Sequence, residues 1–119
     1  MESSILTSTK KVLGLSKDYT AFDEDIIMHI NATFSILSQL GLGQTGSVFM
    51  IEDDSTLWEE IPIPTEWLNL LKTYVYLKVR LLFDPPISSF LLESANKQIQ
   101  EYEWRLNVMR EGDLWTSPT

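Results

Sequence analysis

The sequence contains no cysteine, which excludes disulfides, thiolate zinc sites and thiol catalysis. It has a single histidine, so a nucleophilic triad would have only His29 to draw on. No stretch approaches the roughly 20 apolar residues that a membrane-spanning helix needs. No positively charged start leads into a long apolar run, as a secretory signal would require. We therefore expect a protein that is neither secreted by a signal peptide nor membrane-spanning.

Positive charge is scarce and unevenly placed. The chain has 9 Lys and Arg against 17 Asp and Glu, a net charge of -8, and no Lys or Arg lies between Lys17 and Lys72. Ten acids lie in that interval: Asp18, Asp23, Glu24, Asp25, Glu52, Asp53, Asp54, Glu59, Glu60 and Glu66. A segment of this sign repels a phosphate backbone, which argues against groove-reading DNA recognition. Two interpretations stay open: the acids serve solubility, or they form a surface that DNA passes without sticking.

The apolar periodicity predicts an all-α, bundle-like domain of four helices. Its 119 residues fit a single domain. The predicted helices cover about residues 4–13, 24–40, 66–83 and 86–110. The third is apolar over most of its circumference, which predicts a position at the centre of the bundle. Gly112 is expected to close the fourth helix and leave a flexible tail at about 112–119.

The helical period is lost in an insertion between the second and third helices, at about residues 43–64. Glycines and prolines punctuate this stretch, which is typical of turns. The insertion is either irregular or contains a short β-hairpin. In the hairpin interpretation, Ser47–Ile51 and Thr56–Ile61 form the two strands around a turn at Asp53 and Asp54.

Four tryptophans are more than so small a core readily encloses. Trp104 is predicted on the outer face of the fourth helix, with Phe90 near its line. Trp58, Trp104 and Trp115 are therefore candidate contacts with another subunit or partner. For each of them the alternative is ordinary packing within the subunit.

A search for chemistry finds no catalytic, metal or cofactor site, and we predict that the protein is not an enzyme. Asp25 and His29 lie four residues apart on one helix, but two ligands are fewer than a catalytic metal site uses. Glu52, Asp53 and Asp54 lack the spacing of a calcium-binding loop. A metal-assisted hydrolase using Asp25 and His29 is therefore the weakest hypothesis.

Three segments together carry a resemblance to a known family. The segments are SILTSTKKVLGL at 4–15, YTAFDEDIIMHINATFSILSQLGLG at 19–43, and WLNLLKTYVYLKVRLLFDPPISSFLLESANKQIQEYEWR at 67–105. With these segments, the chain resembles the head-tail connector, or head-completion adaptor, proteins of tailed bacteriophages. Because the family has no invariant chemical motif, the resemblance assigns no role to individual residues.

The resemblance implies a mostly helical structural subunit of the virion, made in the host bacterial cytoplasm and placed at the head-tail interface. It implies a closed cyclic assembly, a ring of about a dozen copies beneath the portal protein. Such a ring extends the DNA channel and docks the next head-completion (stopper) or tail protein, while DNA passes without specific binding.

Within such a ring, the acidic part of the insertion is expected to face either the channel or a neighbour's basic helices. The acids concerned are Glu52, Asp53, Asp54, Glu59 and Glu60. The alternative function is a soluble acidic helical regulator or inhibitor that binds a basic protein surface. It would form one discrete complex without rings.

Overall fold

The computed structural model describes residues 3–39, 49–61 and 63–116, with side chains as far as residue 108. Four helices follow one another in the chain: α1 (Ile5–Val12), α2 (Asp23–Gln39), α3 (Thr65–Phe83) and α4 (Ser89–Thr116). A short 3-10 helix, Trp58–Glu60, lies between α2 and α3. Over the described residues there is no β-strand, and the prediction of an all-α fold is confirmed.

Helix α3 lies at the centre of the bundle and packs against α1, α2 and α4. Its buried side chains recur every three or four residues, at Leu71, Tyr74, Val75 and Val79. The predicted central position of this helix is therefore what the structure shows. The rest of the core is supplied by Ile5, Leu6, Ile26, Ile30, Phe34, Leu37, Ile51, Trp58, Ile61, Ile99 and Leu106.

The predicted β-hairpin is wrong for the residues of the insertion that the structure describes. Leu57 forms an isolated antiparallel bridge with Ser4, at the start of α1, instead of pairing with the 49–51 segment. The chain then turns into the 3-10 helix at Trp58. A hairpin of two isolated strands is only marginally stable in water. The backbone groups of this segment pair with other parts of the chain instead. Residues 47 and 48 of the proposed first strand lie outside the described residues.

The ends of α4 differ from those expected. The helix begins at Ser89, because Pro85 and Pro86 belong to the connection from α3, and it continues through Gly112 to Thr116. A glycine lowers helix stability without ending a helix by itself. Of the predicted flexible tail, 117–119 lie outside the described residues, as do the predicted end of α2 at residue 40 and the insertion up to residue 48.

Candidate interaction surfaces

Residues 52–60, which end in the short 3-10 helix, carry the acids of the insertion, and we call this segment the acidic turn. All five predicted acids of this turn are exposed: Glu52, Asp53, Asp54, Glu59 and Glu60. The Asp53 carboxylate accepts hydrogen bonds from the Ser55 hydroxyl at 2.5 Å and the Ser55 N–H at 2.9 Å. These bonds favour the charged form and hold the pKa of Asp53 below its ordinary value of 3.8. The turn therefore presents concentrated negative charge to solvent.

The acidic turn is held against the start of α1 by backbone hydrogen bonds. Ile5 N–H donates to the Thr56 carbonyl at 3.0 Å, and Trp58 N–H donates to the Ser3 carbonyl at 3.0 Å. Within the turn, Leu57 N–H donates to the Glu60 carboxylate at 2.8 Å. The chain on either side of Leu57 is thus tied to α1, and the position of the acids follows from that contact.

Asn31 of α2 fixes the other side of the turn. Its side-chain amide donates to the Ile51 carbonyl at 2.9 Å, and its side-chain oxygen accepts from the Ile51 N–H at 2.8 Å. One side chain thereby satisfies both backbone polar groups of a residue whose own side chain is buried in the core. This pairing takes the groups that a strand partner would have used.

Replacing Asn31 by alanine is expected to lower the free energy of unfolding by about 2 kcal/mol, because both buried backbone groups of Ile51 lose their partner. Urea unfolding followed by circular dichroism measures the change. The matched control is Asn96→Ala, at an exposed position of α4, for which a change below about 0.5 kcal/mol is expected. Equal effects of the two substitutions would contradict a specific role of Asn31.

Trp58 lies in the core with no exposed surface. Its indole Nε1 donates to Ser8 Oγ at 2.9 Å. Its ring meets Tyr76 edge to face, with centroids 5.7 Å apart, and Lys72 Nζ lies 5.7 Å from the ring centroid. Trp58 is therefore packed within the subunit, which was the alternative to a contact with a partner. Its indole joins the acidic turn to α1 and α3.

Trp104 lies on the outer face of α4, where helical spacing predicts it, and its side chain is 65% exposed. We call the surrounding surface the outer stripe of α4. The outer stripe consists of Phe90, Ser94, Lys97, Glu101, Trp104 and Val108, all exposed. Trp115 lies within the backbone limits of α4, and its side chain is outside the described part of the chain. Among the candidate tryptophans with described side chains, Trp104 is available to a partner.

The inner face of α4 is joined to α3 by a polar contact. Tyr74, buried in α3, donates its hydroxyl to the Glu103 carboxylate at 2.7 Å. Burial first, and then this hydrogen bond and the negative charge of Glu103, raise the pKa of Tyr74 above its ordinary value of 10.0. The tyrosine thus stays protonated in the folded chain at pH values where an exposed tyrosine ionises.

This contact predicts a pH-dependent effect of Tyr74→Phe. At pH 7 the substitution is expected to destabilise the fold by about 1–2 kcal/mol, because a hydrogen bond to a charged acceptor is lost. Above pH 10 the unfolded chain releases the Tyr74 proton while the folded chain retains it, so this residue's stabilisation falls as pH rises. The stability difference between the two proteins should therefore narrow between pH 9 and 11 in urea titrations. A difference that is constant or widens would contradict the assignment.

The metal hypothesis gains no support from the geometry of the described residues. No group of three or more His, Asp and Glu side chains among them is placed to hold an ion. Asp25 is exposed and His29 is half-buried on α2. In the same described part of the chain, no helix has the length and apolar character to cross a membrane.

Two residues that position the surfaces were not singled out from the sequence. Asn31 is one of many residues within α2. Its hydrogen-bond partner, Ile51, lies 20 positions further along the chain, so local sequence spacing does not predict the contact. Lys10 is a charged side chain with 2% exposure, held by Asp23. A lysine in the last turn of a helix is ordinarily interpreted through the helix dipole, which does not point to burial.

One of three comparisons with known proteins supports the connector part of the sequence resemblance. Neither the search of curated proteins nor that of solved structures gives a match. The family model described as phage connector protein matches residues 5–113. The match begins at the first residue of α1 and covers all of the four helices except the last three residues of α4. The chain belongs to the phage connector protein family, which is a family of structural proteins.

Proposed function

We propose that the chain is a head-tail connector subunit of the virion, of the head-completion adaptor type. About a dozen copies form a ring below the portal, a closed cyclic assembly of identical subunits. The ring extends the DNA channel and docks the next head-completion or tail protein. The observation that carries the proposal is the family match over residues 5–113, which spans α1, α2, α3 and most of α4.

The negative charge of the acidic turn supports a position beside the DNA without binding of the DNA. Its five exposed carboxylates lie in a stretch of chain with no Lys or Arg from residue 18 to residue 71. A negatively charged wall repels phosphates and lets a duplex slide. The same charge also suits a basic surface of a neighbouring subunit: on α3, Arg80 is exposed and Lys78 is half-buried.

The proposal is tested by the mass of the chain in solution, measured by light scattering across a concentration series, alone and with the cognate portal protein. We expect a ring-sized assembly or a stable complex with the portal. The control is an unrelated acidic helical protein of similar mass. A chain that ignores the portal at all concentrations would contradict the connector function.

A soluble acidic regulator is the second candidate, favoured by the concentration of exposed carboxylates in the acidic turn. It predicts one discrete complex with a basic protein, of fixed stoichiometry and without rings. Electron microscopy of the same mixtures distinguishes the two functions, because only the connector forms rings on the portal.

A further inference from the structure

The outer stripe of α4 has the spacing of a second helix-packing seam. Its members follow one another at intervals of 4, 3, 4, 3 and 4 residues, from Phe90 to Val108. This is the repeat with which helices pair in coiled coils. The inner face of α4 buries Ile99 and Leu106, about half a helical turn away from this stripe. The stripe is therefore a complete seam with no partner in the described chain.

The apolar side chains of the outer stripe are exposed to solvent. Phe90 is 73% exposed, Trp104 is 65% exposed and Val108 is 42% exposed. The two charged members, Lys97 and Glu101, lie between the apolar ends of the stripe. Within the described part of the chain, each makes only an exposed contact along the helix, Lys97 with Glu93 at 4.0 Å and Glu101 with Arg105 at 3.3 Å. Such pairs contribute little and exchange easily for others.

The sequence of the stripe is complementary to itself when read in reverse. In an antiparallel pair of α4 helices centred at position 99, Phe90 of one copy lies opposite Val108 of the other. Ser94 then lies opposite Trp104, a small side chain facing a large one, and Lys97 lies opposite Glu101. Apolar meets apolar, small meets large and positive meets negative. In a parallel pair, Lys97 would face Lys97 and Glu101 would face Glu101, which is repulsive.

We propose that the outer stripe binds a second copy of this chain, in an antiparallel α4–α4 contact with two-fold symmetry. A two-fold contact uses the same patch on both copies and closes on itself, whereas a ring requires two different patches. The pair is therefore a contact separate from those of the proposed ring. In subunits outside the ring, the antiparallel contact removes Phe90 and Trp104 from solvent. Because the contact has few apolar anchors, we expect a small interface with a dissociation constant in the micromolar range.

Charge reversal tests the contact directly. Lys97→Glu and Glu101→Lys are each made in the full chain, and sedimentation velocity is measured across a concentration series. In either variant alone, both attractive pairs across the seam become repulsive, and we expect dimerisation to weaken about tenfold or more. In an equimolar mixture of the two variants the attractive pairs return, so a heterodimer should form with about the wild-type affinity.

Matched controls reverse exposed charges away from the stripe. Lys11→Glu on α1 and Glu66→Lys on α3 change the net charge by the same amounts, and we expect both to dimerise like the wild type. A wild-type chain that stays monomeric at millimolar concentration would overturn the proposal. A mixture that associates no better than its separate components would also overturn it. Circular dichroism confirms that each exposed substitution leaves the fold intact.

The orientation is tested with introduced cysteines, which are the only thiols because the chain has none of its own. A Phe90→Cys chain mixed with a Val108→Cys chain should form a mixed disulfide on mild oxidation. Each variant by itself should cross-link far less, and efficient cross-linking of Phe90→Cys to itself would overturn the antiparallel arrangement. The dimer and the connector function fail separately: portal binding by a wild-type chain that never dimerises would overturn only the dimer.

Discussion

Replacing Trp58 by alanine is expected to lower the free energy of unfolding by about 3–5 kcal/mol, the largest effect of any single substitution considered. The indole is fully buried, so its removal leaves a large cavity. The substitution also removes the hydrogen bond to Ser8 and the edge-to-face contact with Tyr76. Because native domains are stable by only about 5–15 kcal/mol, the variant should be largely unfolded well below the wild-type urea midpoint.

Trp104→Ala is the matched control for Trp58→Ala. It deletes the same side chain from a position that is 65% exposed, so we expect a change below about 1 kcal/mol. The comparison is made by urea unfolding in dilute solution, where the proposed α4 pair is dissociated. Similar losses for the two variants would contradict the assignment of Trp58 to the core and Trp104 to the surface. Trp58→Phe should recover part of the stability, because it keeps an aromatic ring against Tyr76.

The helices of this protein are predictable from local sequence, because their apolar residues recur at the helical period. Helix α3 is the clearest example: Leu71, Val75 and Val79 lie four residues apart and are all buried. A helix that is apolar on most sides needs neighbours on most sides, and α3 has α1, α2 and α4 around it. The position of Trp104 on the outer face of α4 follows from the same spacing.

The course of the insertion is set by contacts between distant parts of the chain, and no local pattern predicts it. Ile51 gives its backbone groups to Asn31, and Leu57 pairs with Ser4. The apolar residues of the two proposed strands contribute to the helical core instead, where Ile51, Trp58 and Ile61 are each buried. The acids of the turn were recognisable from the sequence, whereas the groups that hold the turn in place were not.

Lys10 and Asp23 form an ion pair, the only one among the described residues in which a charged side chain is buried. Lys10 Nζ lies 2.8 Å from Asp23 Oδ1 and donates to the Lys17 carbonyl at 3.1 Å. The lysine side chain is 2% exposed and the aspartate side chain 27% exposed. A buried charge is tolerated only when it is paired and hydrogen-bonded. The pair therefore fixes the end of α1 against the start of α2.

The unequal burial of the two partners predicts unequal effects of removing each one. Asp23→Asn leaves the Lys10 ammonium buried without a counter-charge, and we expect a loss of about 2–4 kcal/mol in the free energy of unfolding. Lys10→Met keeps the length of the buried side chain and leaves Asp23 with water on its exposed side. Asp23 Oδ1 is buried and loses its partner, but the Asp23 side chain is 27% exposed and its charge stays partly hydrated, so the loss should be smaller, about 1 kcal/mol.

Combining the substitutions should recover most of the loss caused by Asp23→Asn, because the double variant contains neither charge and replacing a buried pair is often nearly neutral. Urea unfolding of the wild type, both single variants and the double variant forms a double-mutant cycle, in which we expect a coupling energy of at least about 1 kcal/mol. Additive effects would mean that the two charges do not stabilise each other. A larger loss for Lys10→Met than for Asp23→Asn would contradict the expected order, and would mean that the unpaired Asp23 carboxylate and the lost hydrogen bond to Lys17 cost more than an unpaired Lys10 ammonium.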